Sequence, residues 1–279
     1  VFGHGEQAAP AHRDELALAR LLLEAGAEAN DSQTIYNRAL GDRPTDDTEF
    51  LELLLDFGLG RGDGGRWRRR LGHEHQTPTE IVAEALQHAA CNGLARRARL
   101  LLDRGADPNV PATHPLYRGR SPYEEAVVHG NMLVADLLAE AGADTSMVAP
   151  FTRFVGAGLA GDRAAVEAMT AADASLLPRA RERHGDLIAR AAELARTDAI
   201  GLLVDLGFDV NARHRATALH EAAWRNDRAI VDLLLSLGAD PTIVDTEHGG
   251  TPADWARHGG HHDLAARFAR AGAPRTDQP

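Results

Sequence analysis

The sequence predicts an all-α fold, a solenoid of about eight helix-turn-helix units joined by short hairpin-like connections. Three observations carry this. One helix ending recurs along the chain, as in "LLLDRGADPN" around Gly105 and "LLLSLGADPT" around Gly238. Capping boxes with Pro at the first helical position, "TPTE" at 77–80 and "SPYE" at 121–124, mark helix starts. The apolar content of 44% comes mainly from Ala, Leu and Val, with aromatics at only 5%, so the core has to be made by small side chains in thin, regular layers.

Taken in order, the endings are "LLLEAGAEAN" around Gly26, "LLLDFGLG" around Gly58, "LLLDRGADPN" around Gly105 and "LLAEAGADTS" around Gly142. They continue as "LLVDLGFDVN" around Gly207, "LLLSLGADPT" around Gly238 and "FARAGAPR" around Gly272. The spacings are 32, 47, 37, 65, 31 and 34 residues. A spacing of 65 reads as two units with a worn copy between them, supplied by "GDRAAVEAMTAADASLL" at 161–177. The expected units are 1–30, 31–59, 77–109, 117–146, 147–177, 183–211, 215–242 and 248–274, followed by a disordered tail at 275–279.

The unit at 216–242, "ATALHEAAWRNDRAIVDLLLSLGADPT", shows the parts. Thr217 caps a first helix with Leu219, Ala222 and Ala223 on one face. A second helix runs from about Arg228 to Leu237, with Ile230, Val231, Leu234 and Leu235 as its apolar stripe and Gly238 as its stop. Two helices this short cannot bury their apolar faces on each other, so like units have to stack.

These features resemble the ankyrin repeat, in the divergent form of bacterial-type arrays. The residues that carry the resemblance are the period near 33, the start Thr217-Ala218-Leu219-His220-Glu221-Ala222, and the G-A-D-x-N endings. Thr251-Pro252-Ala253-Asp254-Trp255-Ala256 is a second start, and Ser121-Pro122-Tyr123-Glu124-Glu125-Ala126 a looser one. The resemblance covers essentially the whole chain. Only His220 keeps the family's histidine; Asn37, Gln87, Glu124, Val155, Ala189 and Asp254 stand in its place, which leaves the hydrogen bonding between those units open. The resemblance also implies a concave groove lined by first helices and hairpin tips. Its outward positions are Arg38, His88, Glu125, Arg190, Glu221, Trp224, Trp255 and His258.

Two interruptions and the two ends complete the organisation. The segment "GRGDGGRWRRRLGHEHQ" at 60–76, rich in glycine and arginine, is expected to be a long exposed loop, and insertions in solenoids often serve binding. A smaller insertion at 111–120 lengthens one connection, and the capping box at Thr77 predicts a long first helix for the third unit. The first unit shows only its second helix clearly, and with Val1 in place of Met the sequence is expected to be a piece of a longer protein. The polar end "HHDLAARFARAGAPRTDQP" suits a terminal cap.

Charge and cysteine content narrow the function. A net charge of -11 opposes attraction to nucleic acid or an anionic membrane and favours a basic or mixed-charge protein partner. One cysteine, Cys91, excludes an intrachain disulfide, and no apolar run approaches the roughly 18 residues of a membrane span. The start has no basic lead or apolar centre of a signal peptide, so a cytoplasmic protein is expected.

Candidate sites are few. The run Arg66, Trp67, Arg68, Arg69, Arg70 reads either as an anchor for an acidic protein segment or as a solvated loop whose Trp67 folds back on the helices; a nucleic-acid contact would have to overcome the acidity of the rest. Trp224 and Trp255, on adjacent units, read either as a partner contact or as rings packed on each other or against the terminal cap. His258, His261 and His262, with His73 and His75, lack the converging third and fourth donors that zinc needs and are expected at the surface. Cys91 lies one turn from His88, but without an oxyanion loop the pair reads as a stray thiol. No phosphate-binding or dinucleotide fingerprint occurs.

The expected function is a non-catalytic protein-interaction scaffold that is monomeric, uses no cofactor or metal, and binds another protein through the groove and the inserted loop. The proposed contacts are Trp67, Arg68, Arg69, Arg38, His88, Arg190, Glu221, Trp224 and Trp255. The alternative is a non-catalytic part of a larger enzyme or regulator whose catalytic domain lies outside this chain.

Overall fold

A computed structural model describes residues 14–31, 45–111, 113, 117 and 119–271. Among them are sixteen α-helices and no strand, and no helix is long and apolar enough to cross a membrane. The chain divides into two compact units, Val1–Ala149 and Pro150–Pro279.

The first unit holds α1 (Glu15–Glu24), α2 (Glu49–Asp56), α3 (Gly65–Leu71), α4 (Pro78–Asn92), α5 (Ala95–Asp103), α6 (Pro122–Val128) and α7 (Met132–Glu140). First helices α4 and α6 lie side by side, and so do second helices α5 and α7, which gives two layers. Leu86, Ala89, Ala98, Ala126 and Leu138, each fully buried, fill the space between them. Local sequence fixes the helix starts. Thr77 Oγ1 accepts from Glu80 N while Glu80 Oε2 accepts from Thr77 N, and Ser121 Oγ accepts from Glu124 N. The helix that begins at this box runs 15 residues, against seven in α6. It stops at Gly93, with φ +70°, where a Cβ would lie 2.8 Å from Asn131 Oδ1. That closeness lets Asn131 Nδ2 donate to the carbonyls of Ala90 and Cys91, satisfying the end of α4 from the next helix pair.

The inserted segment corrects one expectation. Residues 60–76 are not simply a loop, because α3 and a single 3-10 turn, Gly72–Glu74, occupy their second half. Carboxylates supply what an apolar face does not: Gly65 N donates to Asp63 Oδ1 and Arg66 N donates to Glu28 Oε1, so the first free N–H groups of α3 are paired. No residue of α3 is buried, so it forms no packed layer.

The second unit holds α8 (Pro150–Ala160), α9 (Arg163–Ala172), α10 (Leu176–Arg183), α11 (Leu187–Glu193), α12 (Thr197–Asp205), α13 (Ala218–Trp224), α14 (Arg228–Ser236), α15 (Pro252–His258) and α16 (His262–Ala271). A row of first helices, α8, α11, α13 and α15, packs neighbour on neighbour, and α12 against α14 makes a second row. Helix α10 stands beyond the two-helix pattern, held to α8 by buried Leu176 and Ala180.

Two kinds of hydrogen bond recur between successive helix pairs and explain the repeated phrase. The Asn that closes the glycine ending reaches the next one: Asn30 Nδ2 donates to Gly58 O, Asn109 Nδ2 to Gly142 O, and Asn211 Nδ2 to Gly238 O. The amide oxygen of each accepts in return, from Gly60 N, Asp144 N and Asp240 N. The second bond settles a point the sequence leaves open. Buried His220 Nε2 donates to Gly250 O, and buried Gln87 Nε2 donates to Arg120 O, so Gln87 keeps the link without the histidine.

The N-terminal stretch before residue 14, residues 32–44 of the second expected unit, half of the 111–120 insertion and the 275–279 tail lie outside the described residues.

Candidate functional site

Three aromatic rings meet on the row of first helices in the second unit. Trp224 closes α13, Trp255 sits inside α15, and their centroids are 6.3 Å apart at 80°. His258, one turn after Trp255, stacks on Trp224 at 5.8 Å and 23°. The two tryptophans differ in role. Trp255 Nε1 donates to Asp245 Oδ2 at 2.9 Å, its ring meets His220 edge-on, and it is half-buried. Trp224 is 46% exposed. Sequence spacing puts the two rings on equal terms, but the structure builds Trp255 into the fold and leaves Trp224 largely open.

Around the rings lies an open depression of about 840 Å³, lined in part by Glu193, Arg215, Glu221, Arg225 and His258. Arg215 lies over the Trp255 ring at 5.0 Å and pairs with Glu221 at 3.3 Å. Burial raises the Glu221 carboxyl above its usual value, and the Glu193 carboxylate raises it further against the pull of Arg215 and Arg225. Arg225 Nε is buried with no hydrogen-bond partner. The depression therefore combines an open aromatic face with two like-charged carboxylates that a cation would relieve.

Its floor depends on Asp245. That carboxylate is buried and accepts from Glu247 N, His248 N, Gly250 N and Trp255 Nε1. These donors hold it well below the usual 3.8, the His248 N–H most strongly. A lowered folded value stabilises the fold above 3.8 and loses that contribution as pH falls further. Asp245→Asn is therefore expected to lower the thermal midpoint at pH 7, because the new amide N–H groups oppose Gly250 N and Trp255 Nε1. It is also expected to flatten the acid limb of a midpoint-against-pH curve.

The other expected contacts separate. Arg38 lies outside the described residues. Arg190, on α11, is half-buried, and Glu193 is the residue from that helix that lines the depression. His88, on α4 in the first unit, is half-buried; burial and then the charge of Arg97 push it down to about 4, so it is neutral near pH 7. Trp67 is 38% exposed and lines a recess with Leu22, Leu23 and Leu54. Arg68 Nη1 donates to His75 O and Arg69 Nη1 pairs with Asp63 Oδ2, so both guanidiniums have partners within the insertion. His75 is buried rather than at the surface, with its Nε2 3.4 Å from Asn30 O, and His261 Nε2 donates to Trp224 O. Glu125, expected to face outward, is 1% exposed. It points inward because Arg120 and His129 bracket it, Arg120 Nε at 2.6 Å from Oε1 and His129 Nδ1 at 3.1 Å from Oε2.

That bracket belongs to a second cluster. His129 Nε2 lies 3.6 Å from Cys91 Sγ, so the partner of Cys91 is on the next helix pair and not His88. Cys91, Glu125 and His129 place one donor atom each within 4.8 Å of one another, the one such group among the described residues. Glu125 is already claimed by Arg120 and by His129 Nδ1, which leaves Sγ and Nε2 for a cation, short of the three or four protein donors zinc takes. His129 lies well above its usual value, raised to about 10 by its hydrogen bonds, first to Cys91 and then to Glu125.

Comparison with known proteins places part of the chain in sequence space. Residues 214–246 match the family model of the ankyrin repeat. The ARF GTPase-activating protein GIT2 of Mus musculus is 39% identical over 79 residues, and GIT1 of Homo sapiens likewise; the stretch is 27% of this chain and 11% and 10% of theirs. The E3 ubiquitin-protein ligase Ufd4 of Drosophila melanogaster is 40% identical over 72 residues, 25% of this chain and 3% of its own. The chain thus spans about a tenth or less of the length of these relatives.

Proposed function

We propose that the chain is a non-catalytic protein-interaction scaffold, an array of about eight ankyrin-type units acting as a cytoplasmic monomer. It holds an extended, basic segment of another protein across α13 and α15. The observation that carries this is Trp224, 46% exposed beside Glu193 and Glu221 in a depression that Asp245 and Trp255 keep in shape. A Lys or Arg side chain of the partner enters between the two carboxylates and lies over the Trp224 ring. The net charge of -11 favours the same sign of partner. Arg190, the inserted Trp67, Arg68 and Arg69, His88 and Arg38 are proposed as further contact positions.

Titration with arginine- and lysine-rich peptides against acidic peptides of equal length tests the reading. Trp224→Ala is expected to weaken the basic peptides by roughly 30-fold, the loss of a central aromatic anchor, while the thermal midpoint stays nearly constant. Equal binding of acidic peptides, or a Trp224→Ala variant that binds like the parent, overturns it.

A second reading, a non-catalytic part of a larger enzyme or regulator, is favoured by one observation. The relatives are named as GTPase regulators and as a ubiquitin ligase, and the matched stretch is about a tenth of the two GTPase-activating proteins. The complete reading frame decides between the two.

A further inference from the structure

The groups around Cys91 are ordered as a relay. Sγ faces His129 Nε2 at 3.6 Å, His129 Nδ1 faces Glu125 Oε2 at 3.1 Å, and Glu125 Oε1 receives Arg120 Nε at 2.6 Å. Glu125 is nearly sealed, at 1% exposure, whereas Cys91 and His129 are half-exposed. The buried carboxylate therefore holds the imidazole in one orientation, with Nδ1 as donor and Nε2 turned to the sulfur. A thiol so placed passes its proton to Nε2 and becomes a thiolate beside an imidazolium, and Glu125 balances the new positive charge. Among the described residues, Tyr117 is a further titratable neighbour of Cys91, with Glu84 beside Tyr117 and His88 one turn earlier on α4. His88 is neutral near pH 7, as is Tyr117, whose hydroxyl is raised by burial.

One buried polar atom on the same helix is left unmatched. Gln87 lies four residues before Cys91, on the same face of α4, and is fully buried; its Nε2 is spent on Arg120 O, but its Oε1 has no partner. A buried acceptor left open costs stability unless something donates to it.

We propose that Cys91 is a modification site, an activated thiolate that is capped by a small disulfide. The sulfur of Cys91 attacks one sulfur of the disulfide, a new S–S bond forms as the old one breaks, and the bonding pair leaves with the second sulfur as a thiolate. The proton that Cys91 gave up stays on His129. This sequence holds no second cysteine to displace the cap, so within it the mixed disulfide persists until another thiol removes it.

Oxidised glutathione is the probe, with the capped fraction of the full chain read by intact mass after acid quench. An ordinary thiol with a value near 8.5 speeds up about 75-fold between pH 6 and pH 8, as its thiolate fraction grows. The parent protein is expected to change less than about threefold over that range, and His129→Gln to regain the steep rise. A steep rise in the parent overturns the proposal whatever the variant does. So does the absence of a glutathionyl adduct at pH 8. A parent rate that increases when EDTA is added also overturns it, since the sulfur is then held by a metal. Circular dichroism of His129→Gln confirms that the compared proteins share a fold.

Discussion

Leu234→Ala is expected to cost about 2 to 5 kcal/mol, read from chemical denaturation. Leu234 is fully buried on α14, which packs against α13 of its own helix pair and α12 of the preceding one. Truncation removes its transfer energy and leaves a cavity that two rigid neighbours cannot both collapse into. In a stack the loss is shared, because each pair is stable only through its interfaces. Amide exchange should therefore quicken in α12 and α13 as well as in α14. The same change at Leu133 on α7, 66% exposed, is expected to stay within about 0.5 kcal/mol. A cost below about 1 kcal/mol for Leu234→Ala would mean that the helix pairs do not depend on one another.

Glu125→Ala is the second large effect, expected at about 2 to 3 kcal/mol. Breaking a fully buried ion pair costs about 3 to 5 kcal/mol, but Arg120 and His129 keep some access to water and recover part of it. The pH dependence gives a sharper readout. A folded value near 10 for His129, raised from 6.5, stabilises the fold in full below 6.5, and that contribution is lost as pH climbs through about 10. The thermal midpoint of the parent should fall across that window. In Glu125→Ala the fall should be smaller, since the bond from His129 to the Glu125 side chain is gone while those to Cys91 and to the Glu125 backbone carbonyl remain. An unchanged slope would show that the Glu125 side chain does not set the His129 value.

Much of the fold is legible in the sequence because the signals are local. Thr77, Ser121 and Thr251 start helices through bonds to residues three positions on, and Gly93 stops one through its own backbone. The recurring Asn of the endings marks a bond from one helix pair to the next, visible as repetition before its geometry is known. Helix α3 is less legible. Its seven residues have no buried face, and its N-terminus is held partly by Glu28, 38 residues from Arg66, which no local pattern announces.

The candidate sites divide in the same way. Trp224 and Trp255 are conspicuous by residue type and spacing. Spacing says nothing of the bond from Trp255 to Asp245 that makes one ring structural and leaves the other open. Cys91 and His129 stand 38 residues apart, and nothing in either stretch points to the other. His88 is the nearer histidine along α4, yet His129 is the one that meets the sulfur.

By itself the sequence determined that this chain is helical, where several of its short helices begin and end, and that like pairs have to stack, because caps, glycine stops and apolar stripes act within one or two turns. Tertiary structure alone decided which side chains meet across the stack: Glu125 turned inward, Gln87 doing the work of a histidine, and Cys91 set against His129. Those contacts depend on how far one helix slides along its neighbour, a quantity fixed by packing on both sides and written in no single stretch of residues.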